Sequence, residues 1–496
     1  MKVDLSAVLE WLDIITENLA IEVSGLCHDS RKITCGDVFI ALSGSDNHGM
    51  DFAYQAQRGG ACAILAESIQ PGNAKPKGRQ QPLTIPVIEI DDLSAKLGIL
   101  ATNFYQNPST KLDIIGITGT NGKTSSAWLM LQAWDKLAIK GAYIGTLGYG
   151  TLQQMHNLQN TTPTALHLQR ILAGFVEDGI THVSLEVSSH GLSLGRVNAT
   201  KFKGAGFTNI SRDHLDFHET MEKYANAKQQ LFTEYNLDFA VINCNDYYGK
   251  KWLTTINYNK ISYGINSKKA DLSASNIELM PKGINFRLNW NKQSYNIFTP
   301  LLGKFNIDNI MLVVATLLSQ GFEIAHIIDV IPQLKPVPGR MNCVEVRVNS
   351  PLIIVDYAHT PDALEQVLMA LKEHNARKIW CVFGCGGNRD KGKRPQMGHI
   401  AETLADNVVI TDDNPRYEDN QQITADILMG MNTKPTVIHS RIDAIAYAIN
   451  NSHPDDLILI AGKGHESYQL IKGQYFPFDD RLIAKELLEN SQEQYA

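Results

Sequence analysis

Leu112-Asp-Ile-Ile-Gly-Ile-Thr-Gly-Thr-Asn-Gly-Lys-Thr124 is the stretch that decides how this chain is read. The apolar run over 112–117 predicts a strand, Gly119 and Gly122 predict a tight loop, and the residues after Lys123 read as a helix with Ala127, Met130, Leu131 and Trp134 on one face. Such a loop between strand and helix is a phosphate cradle. Backbone N–H groups of Gly119, Thr120, Asn121 and Gly122 can close on phosphate oxygens, and the helix N-terminus adds partial positive charge. Lys123 can reach the terminal phosphates, and Thr124, followed by Ser125, offers a hydroxyl to Mg²⁺. Gly116 and Gly122 are separated by five residues where the common P-loop has four, so Gly119 is read as supplying the extra turn. A bound ATP or GTP is the expectation.

With 496 residues the chain is too long for one ordinary core, and two to four domains are expected. It is 44% hydrophobic and 20% charged, with no apolar run of membrane-spanning length. The first ten residues carry acids among their apolar residues, unlike a secretory signal, which predicts a cytoplasmic protein. Cys27, Cys35, Cys62, Cys244, Cys343, Cys381 and Cys385 show no paired zinc spacing and read as free thiols in a reducing compartment. A net charge of −7 argues against nucleic acid as a partner, so an anionic small-molecule substrate must meet locally placed cations.

Short β-type runs alternate with helical stretches, predicting an α/β fold with parallel sheets. Polar residues gather where those runs end. In the middle of the chain, 182–187 ends around Glu186 and Ser188, 204–210 leads into Ser211-Arg212-Asp213-His214, and 239–243 ends at Asn245. Later, 352–355 ends at Asp356, 379–383 at Gly386-Gly387-Asn388-Arg389, 408–410 at Asp412-Asp413-Asn414-Pro415-Arg416, and 457–460 at Gly462-Lys463-Gly464-His465-Glu466. Open α/β sheets bind ligands at the carboxyl ends of their strands, so two reactive sheet edges are expected. Strands at 38–42, 62–65 and 87–90 belong to a separate first unit, and 70–86 reads as a surface loop. The Pro- and Gly-bearing segment 335–340 is the expected hinge.

Together these motifs resemble the Mur ligase family of ATP-dependent amide-forming enzymes of peptidoglycan precursor synthesis, over essentially the whole chain. The resemblance is carried by Asp29-Ser30-Arg31 with Gly36-Asp37, residues 119–124, Asn160-Thr161-Thr162-Pro163-Thr164 and Glu186-Val187-Ser188-Ser189-His190. It continues through Thr208-Asn209-Ile210-Ser211-Arg212-Asp213-His214, Lys228, Phe305-Asn306-Ile307-Asp308-Asn309, residues 356–361, Asp413-Asn414-Pro415-Arg416 and 462–466. It implies three α/β domains: an N-terminal UDP-binding domain (1–110), a central P-loop ATPase domain built on a parallel sheet (111–335), and a C-terminal Rossmann-like amino-acid-binding domain (336–496). It also implies ATP and Mg²⁺ as cofactors and an acyl-phosphate intermediate; a monomer with no membrane partner is the expectation for the chain.

The same resemblance implies roles for individual residues. Lys123, Glu186, His214 and Lys228 match catalytic positions. Thr124, Glu186, His214 and Lys228, the last as an N-carboxylated side chain, match ligands of two Mg²⁺ ions. Asn306, Asn309, Arg340, Asp356 and His359 fall to ATP. Ser30 and the Ser45-Asp46-Asn47 turn fall to the uridine diphosphate end of a nucleotide sugar, and Asn160, Thr161, Thr162, Ser188 and Arg196 to its muramoyl-dipeptide. His28 and Leu194 depart from the pattern, where relatives carry Leu and Gln.

Asp413-Asn414-Pro415-Arg416 resembles the signature of members that add meso-2,6-diaminopimelate to UDP-N-acetylmuramoyl-L-alanyl-D-glutamate, rather than lysine. Diaminopimelate carries a second carboxylate at its far end, which an arginine can bind bidentately. Arg389 and Arg416 are therefore the expected carboxylate clamps, with Asp413, Asn414, Pro415, Gly462 and Glu466 around the far amino-acid head. Two rivals are a folylpolyglutamate-type ligase, which would not carry the Asp-Ser-Arg and Asn-Thr-Thr-Pro segments, and a P-loop motor or switch, which would hydrolyse ATP without a small acceptor.

Overall fold

The structure is a computed structural model describing residues 2–493 apart from 16–18, 45–46, 70–75, 78–81, 281, 340, 345–349, 375 and 465. The chain groups into two compact units, each built from separated stretches: 1–123 with 138–241 and 251–260, and 124–137 with 242–250 and 261–496.

In the first unit the parallel strands Gly25–Cys27, Asp37–Ala41, Ala63–Glu67 and Val87–Ile90 form one sheet in that order; the last three lie within a residue or two of the expected strands, and Gly25–Cys27 was not expected. Val38, Ile40 and Leu65 pack with Leu93, Leu100 and Phe104 of helix Leu93–Phe104. Most of the expected loop 70–86 lies outside the described residues.

The phosphate-loop strand Asp113–Thr118 lies between His182–Glu186 and Gly204–Phe207, parallel to both, and Gly141–Gly145 follows beyond His182–Glu186. An antiparallel hairpin, Gly148–Gly150 with Met155–His156, closes that edge and was not expected from the sequence. Gly116 belongs to the strand and not to the loop, so no extra turn is inserted. A side chain there would meet the Phe202 ring at 2.9 Å, which makes Gly116 a packing glycine. The strand expected over 204–210 ends at Phe207, because Thr208 and Asn209 turn to bond the loop: Thr208 Oγ1 donates to Asn121 O at 2.6 Å, and Asn121 N–H donates to Asn209 Oδ1 at 3.1 Å.

In the second unit a meander of antiparallel strands, Leu272–Met280, Gly283–Trp290 and Gln293–Thr299, precedes a six-stranded sheet. The order of that sheet is Asn342–Cys343, Leu352–Asp356, Leu457–Ala461, Ile379–Phe383, Asn407–Ile410, Thr436–Val437, parallel except for its first strand. Side chains alternate between its faces with period two: Ile354, Leu459, Cys381 and Phe383 enter one core, and Val355, Ile460, Val382 and Val409 the other. Both faces are covered, which explains why these strands read as continuous apolar runs.

Helix Lys123–Lys136 is buried on nearly every side from Thr124 to Trp134, not on one face as expected. Its polar members are satisfied: Gln132 exchanges two hydrogen bonds with the backbone of Lys335 at 2.8 and 2.9 Å, and Trp134 Nε1 donates to Gln320 at 3.1 Å. All seven cysteines are free thiols, and burial pushes those of Cys381 and Cys385 up to about 12. Among the described residues no helix is long and apolar enough to cross a membrane.

Candidate active site

The phosphate loop is shaped by two glycines with positive φ, +147° at Gly119 and +85° at Gly122. A side chain on Gly119 would overlap Thr208 Oγ1 at 1.9 Å. Lys123 Nζ donates to Gly119 O at 2.8 Å and Thr120 O at 2.9 Å, so the ammonium is folded over the loop whose N–H groups would take phosphate. Thr120 Oγ1 hydrogen-bonds Tyr224 at 3.0 Å.

Lys228 joins this corner from helix Met221–Thr233, with 1% of its surface exposed. Its Nζ donates to Gly119 O at 2.8 Å and lies 4.5 Å from the centre of the Tyr224 ring. Burial, with the Lys123 ammonium adding to it, holds the amine well below the usual lysine range. A neutral amine is the nucleophile that carbon dioxide requires, so the setting suits an N-carboxylated lysine. His214 is also near Tyr224: it is exposed, at φ +51°, its ring 6.1 Å from that of Tyr224 and 4.8 Å from that of His190.

Glu186 ends its strand fully buried, accepting hydrogen bonds from Tyr143 Oη and from Thr146 N at 2.9 Å. Around it the expected dipeptide residues are knitted together. Thr161 reaches Thr146 at 3.2 Å, and Thr162 Oγ1 donates to Glu186 O at 2.8 Å and pairs with Ser188 at 3.0 Å. Arg196 donates to Thr162 O at 3.0 Å. Asn160 is exposed without a hydrogen bond among the described residues, and Ser30 donates to Gln55 Oε1 at 2.9 Å. Ser45 and Asp46 lie outside the described residues, while Asn47 accepts from Lys77.

Among the described residues no three His, Cys, Asp or Glu side chains group as a metal site. The donors expected for Mg²⁺ include a hydroxyl and a modified lysine, so such a group is not needed. The Glu186 carboxylate and Thr124 hydroxyl are hard oxygen donors of the kind Mg²⁺ takes.

In the second unit Asn306 and Asn309 are buried on helix Phe305–Ser319, Asn309 Nδ2 donating to Asn306 Oδ1 at 2.9 Å. Asp356, ending its strand, accepts from Met341 N at 2.7 Å and Ala358 N at 2.8 Å. His359 is exposed, donating from Nδ1 to Tyr357 O at 2.8 Å. Arg340 lies outside the described residues.

Three strand-end loops of the parallel sheet bring together most of the residues expected around an amino-acid acceptor. Asn414 Nδ2 donates to Glu466 at 2.8 Å, and the fully buried Lys463 donates to Asn414 Oδ1 at 3.1 Å and Glu466 at 3.0 Å. Gly462 is required beside Asp413: at φ +116°, a side chain would sit 2.7 Å from Asp413 Oδ2. Arg416, at φ +56°, donates from Nη1 to Gly387 O at 2.9 Å, and a side chain on Gly386 would meet that same Nη1 at 2.8 Å. Arg389 is exposed and makes no ion pair among the described residues.

Sequence reasoning missed the residues that hold these groups. Tyr143 and Thr146 fix Glu186; their only signal was a place in the Gly141–Gly145 strand and just after it. Lys463 lay inside a quoted motif without a role. Arg394, fully buried, donates to Glu418 at 2.8 Å, Asp426 at 2.7 Å and Gly386 O at 3.3 Å, bracing the loop that carries Arg389. Beside Lys391 and Lys393 at the start of a helix, one more basic residue gave no sign of it.

The family models for "Mur ligase family, catalytic domain", "Mur ligase middle domain" and "Mur ligase, glutamate ligase domain" match residues 22–105, 117–317 and 339–464. Proteins named UDP-N-acetylmuramoyl-L-alanyl-D-glutamate--2,6-diaminopimelate ligase are similar throughout. That of Xanthomonas oryzae pv. oryzae is 42% identical over 473 residues, 94% of each chain. That of Haemophilus influenzae is 41% identical over 482 residues, 94% of this chain and 96% of the relative. A solved structure of a ligase with the same name is 34% identical with a TM-score of 0.76, covering 99% of this chain and all of the other. The Mycobacterium tuberculosis folylpolyglutamate synthase complexed with ADP and AMPPCP shares the fold at 16% identity and TM-score 0.57, covering 74% of this chain and 92% of that one.

Proposed function

This chain belongs to the Mur ligase family, and from that premise we propose that it joins meso-2,6-diaminopimelate to UDP-N-acetylmuramoyl-L-alanyl-D-glutamate at the expense of ATP. The observation that carries the choice of acceptor is the meeting of Arg416, Asp413, Asn414 and Glu466 at one edge of the parallel sheet, held by the buried Lys463. Cationic and acidic groups side by side suit an amino-acid head, which carries both charges. Residues 1–110, 111–335 and 336–496 are taken as the UDP-binding, ATP-binding and amino-acid-binding domains, with 335–340 as the hinge. The reading places the reaction in the cytoplasm and uses one copy of the chain.

In this reaction the γ-phosphoryl group passes to a carboxylate of the dipeptide, giving an acyl phosphate and ADP. The acceptor amine then adds to the acyl carbon, and inorganic phosphate leaves as the amide forms. The loop N–H groups over 119–122 hold the phosphates, and Lys123 trades its contacts with Gly119 O and Thr120 O for phosphate oxygens. Asn160, Thr161, Thr162, Ser188 and Arg196 orient the dipeptide, and Ser30 with residues 45–47 the uridine diphosphate. Asn306, Asn309, Arg340, Asp356 and His359 frame the nucleotide. Thr124 and Glu186 would hold one Mg²⁺, and His214 with carboxylated Lys228 a second. The bound cations supply charge neutralisation between the two anions brought together. Arg389 and Arg416 take the distal carboxylate of the acceptor, and Asp413, Asn414, Pro415, Gly462 and Glu466 complete its pocket.

The test is ATP-dependent phosphate release with UDP-N-acetylmuramoyl-L-alanyl-D-glutamate and either meso-diaminopimelate, L-lysine or no amino acid, with the product identified by mass. Release and tripeptide product with diaminopimelate alone is expected. A preference for lysine overturns the acceptor assignment, and release without an acceptor or new product overturns the ligase reading.

A further inference from the structure

His374 follows helix Pro361–Lys372 and has none of its surface exposed. Both ring nitrogens are engaged by backbone from elsewhere in the same unit. Gly303 N–H donates to Nε2 at 2.8 Å, and Nδ1 donates to Met280 O at 2.6 Å. A carbonyl can only accept and an amide N–H only donate, so the tautomer is fixed: the proton is on Nδ1, and Nε2 carries a lone pair. Burial, the largest influence on this ring, favours the neutral form that the arrangement needs.

Gly303 is not an arbitrary partner. Its φ is +84°, and a side chain there would sit 2.4 Å from the Phe305 ring, so the turn opening helix Phe305–Ser319 demands glycine. The neighbouring Leu302 is buried in the same apolar core as Leu364, Leu368 and Leu371 of the His374 helix. From this turn a chain of hydrogen bonds runs onward. Asn306 Nδ2 donates to Leu302 O at 2.7 Å, Asn309 Nδ2 to Asn306 Oδ1 at 2.9 Å, and Ser126 Oγ to Asn309 Oδ1 at 3.2 Å. Ser126 stands on the helix that follows the phosphate loop.

We propose that His374 is a positioning residue for ATP: by accepting from Gly303 it sets the turn from which Asn306 and Asn309 are hung, and so fixes both asparagines against the phosphate-loop helix. The inference rests on the reading of Asn306 and Asn309 as adenine-side residues. His374 itself touches no substrate. Its two bonds have different jobs, the one to Met280 anchoring the ring and the one to Gly303 carrying the effect.

Two substitutions separate those jobs. In His374→Gln the amide oxygen reaches the Nε2 position and can still accept from Gly303. In His374→Asn the shorter amide reaches only the Nδ1 position and can donate to Met280. With the full chain, KM for each of the three substrates and kcat are measured for the wild type, both variants and His374→Ala, beside thermal unfolding. Expected is a rise in KM for ATP of about tenfold in His374→Ala and His374→Asn, the worth of one buried hydrogen bond, with most of it recovered in His374→Gln. KM for the nucleotide sugar and for the amino acid should stay within about twofold. If His374→Ala does not fold, the Gln and Asn variants decide.

Equal ATP affinities in the Gln and Asn variants, or a parallel rise in all three KM values, would overturn the proposal and leave His374 a purely structural residue. Asn306→Ala distinguishes a failure of the underlying reading. If it raises KM for ATP while the His374 series does not, only the positioning role is lost. If it leaves KM for ATP unchanged, the adenine-side assignment falls and takes the proposal with it.

Discussion

The phosphate corner and the acceptor corner are built in opposite ways. At the first, the shape comes from the backbone: Gly119 and Gly122 take conformations that side chains resist, and Lys123 and Lys228 both bond Gly119 O. At the second, the shape comes from side chains on loops far apart in sequence, tied by Lys463 to Asn414 and Glu466 and by Arg394 to Glu418, Asp426 and Gly386 O. A backbone cradle recognises what all its nucleotides share, the phosphates. A side-chain cage can be re-specified by one substitution, which suits the part that chooses an amino acid.

The hardest way to break the comparison is at Lys228. Lys228→Ala should cut turnover by at least about a hundredfold, with partial recovery when a short carboxylate is supplied, because the group proposed there is a carboxylate on an arm. Unchanged turnover in a steady-state assay would end that assignment. Next in size is Lys463→Met, which leaves Glu466 and Asn414 Oδ1 without their buried cation. A loss of about 2–4 kcal/mol is expected, read as weakened binding of diaminopimelate by calorimetry and a lower unfolding midpoint, with ATP binding unaltered.

Arg416→Ala should weaken the acceptor by about 1.5–3 kcal/mol, or roughly ten- to a hundredfold in its KM, and leave ATP untouched. An equal loss in both would move Arg416 out of the acceptor corner. The last effect falls on stability and not on substrate binding, and tests a buried carboxyl away from both corners. Burial pushes the Asp308 carboxyl up to about 6, above its ordinary 3.8, so the folded chain holds this proton more tightly than the unfolded one. Stability is then lost as pH rises from about 4 through 6, and Asp308→Asn should be more stable than the wild type at pH 8 by about 3 kcal/mol, with the two near parity at pH 4. Urea unfolding at both pH values checks the sign.

The contrast also explains what could be read in the sequence. The phosphate loop lies within a dozen consecutive residues, and its glycines, lysine and threonine each have one evident use; only Gly116 was misassigned, because packing against Phe202 leaves no local trace. The parallel strands were legible because both faces are covered and their apolar runs are unbroken. The hairpin at Gly148–Gly150 was not, since its strands are two and three residues long. Strand-end positions brought Asp413, Asn414, Arg416 and Glu466 into view, but Lys463 was named without a role and Arg394 not at all: a lysine or arginine reads as solvated until tertiary structure buries it. Tyr143 and Thr146 were missed for the same reason, because what they hold, Glu186, is distant in sequence.

The central claim, that one corner activates the carboxylate and the other only selects the amine, is tested most directly by isotope exchange without acceptor. ATP labelled with ¹⁸O in the β,γ-bridge is incubated with UDP-N-acetylmuramoyl-L-alanyl-D-glutamate and the wild type, Arg416→Ala or Lys228→Ala, and migration of the label to the non-bridging β position is followed by ³¹P NMR. Reversible acyl-phosphate formation should scramble the label in the wild type and in Arg416→Ala at similar rates, and hardly at all in Lys228→Ala. Scrambling lost in Arg416→Ala, or retained in Lys228→Ala, would contradict the division of labour between the two corners.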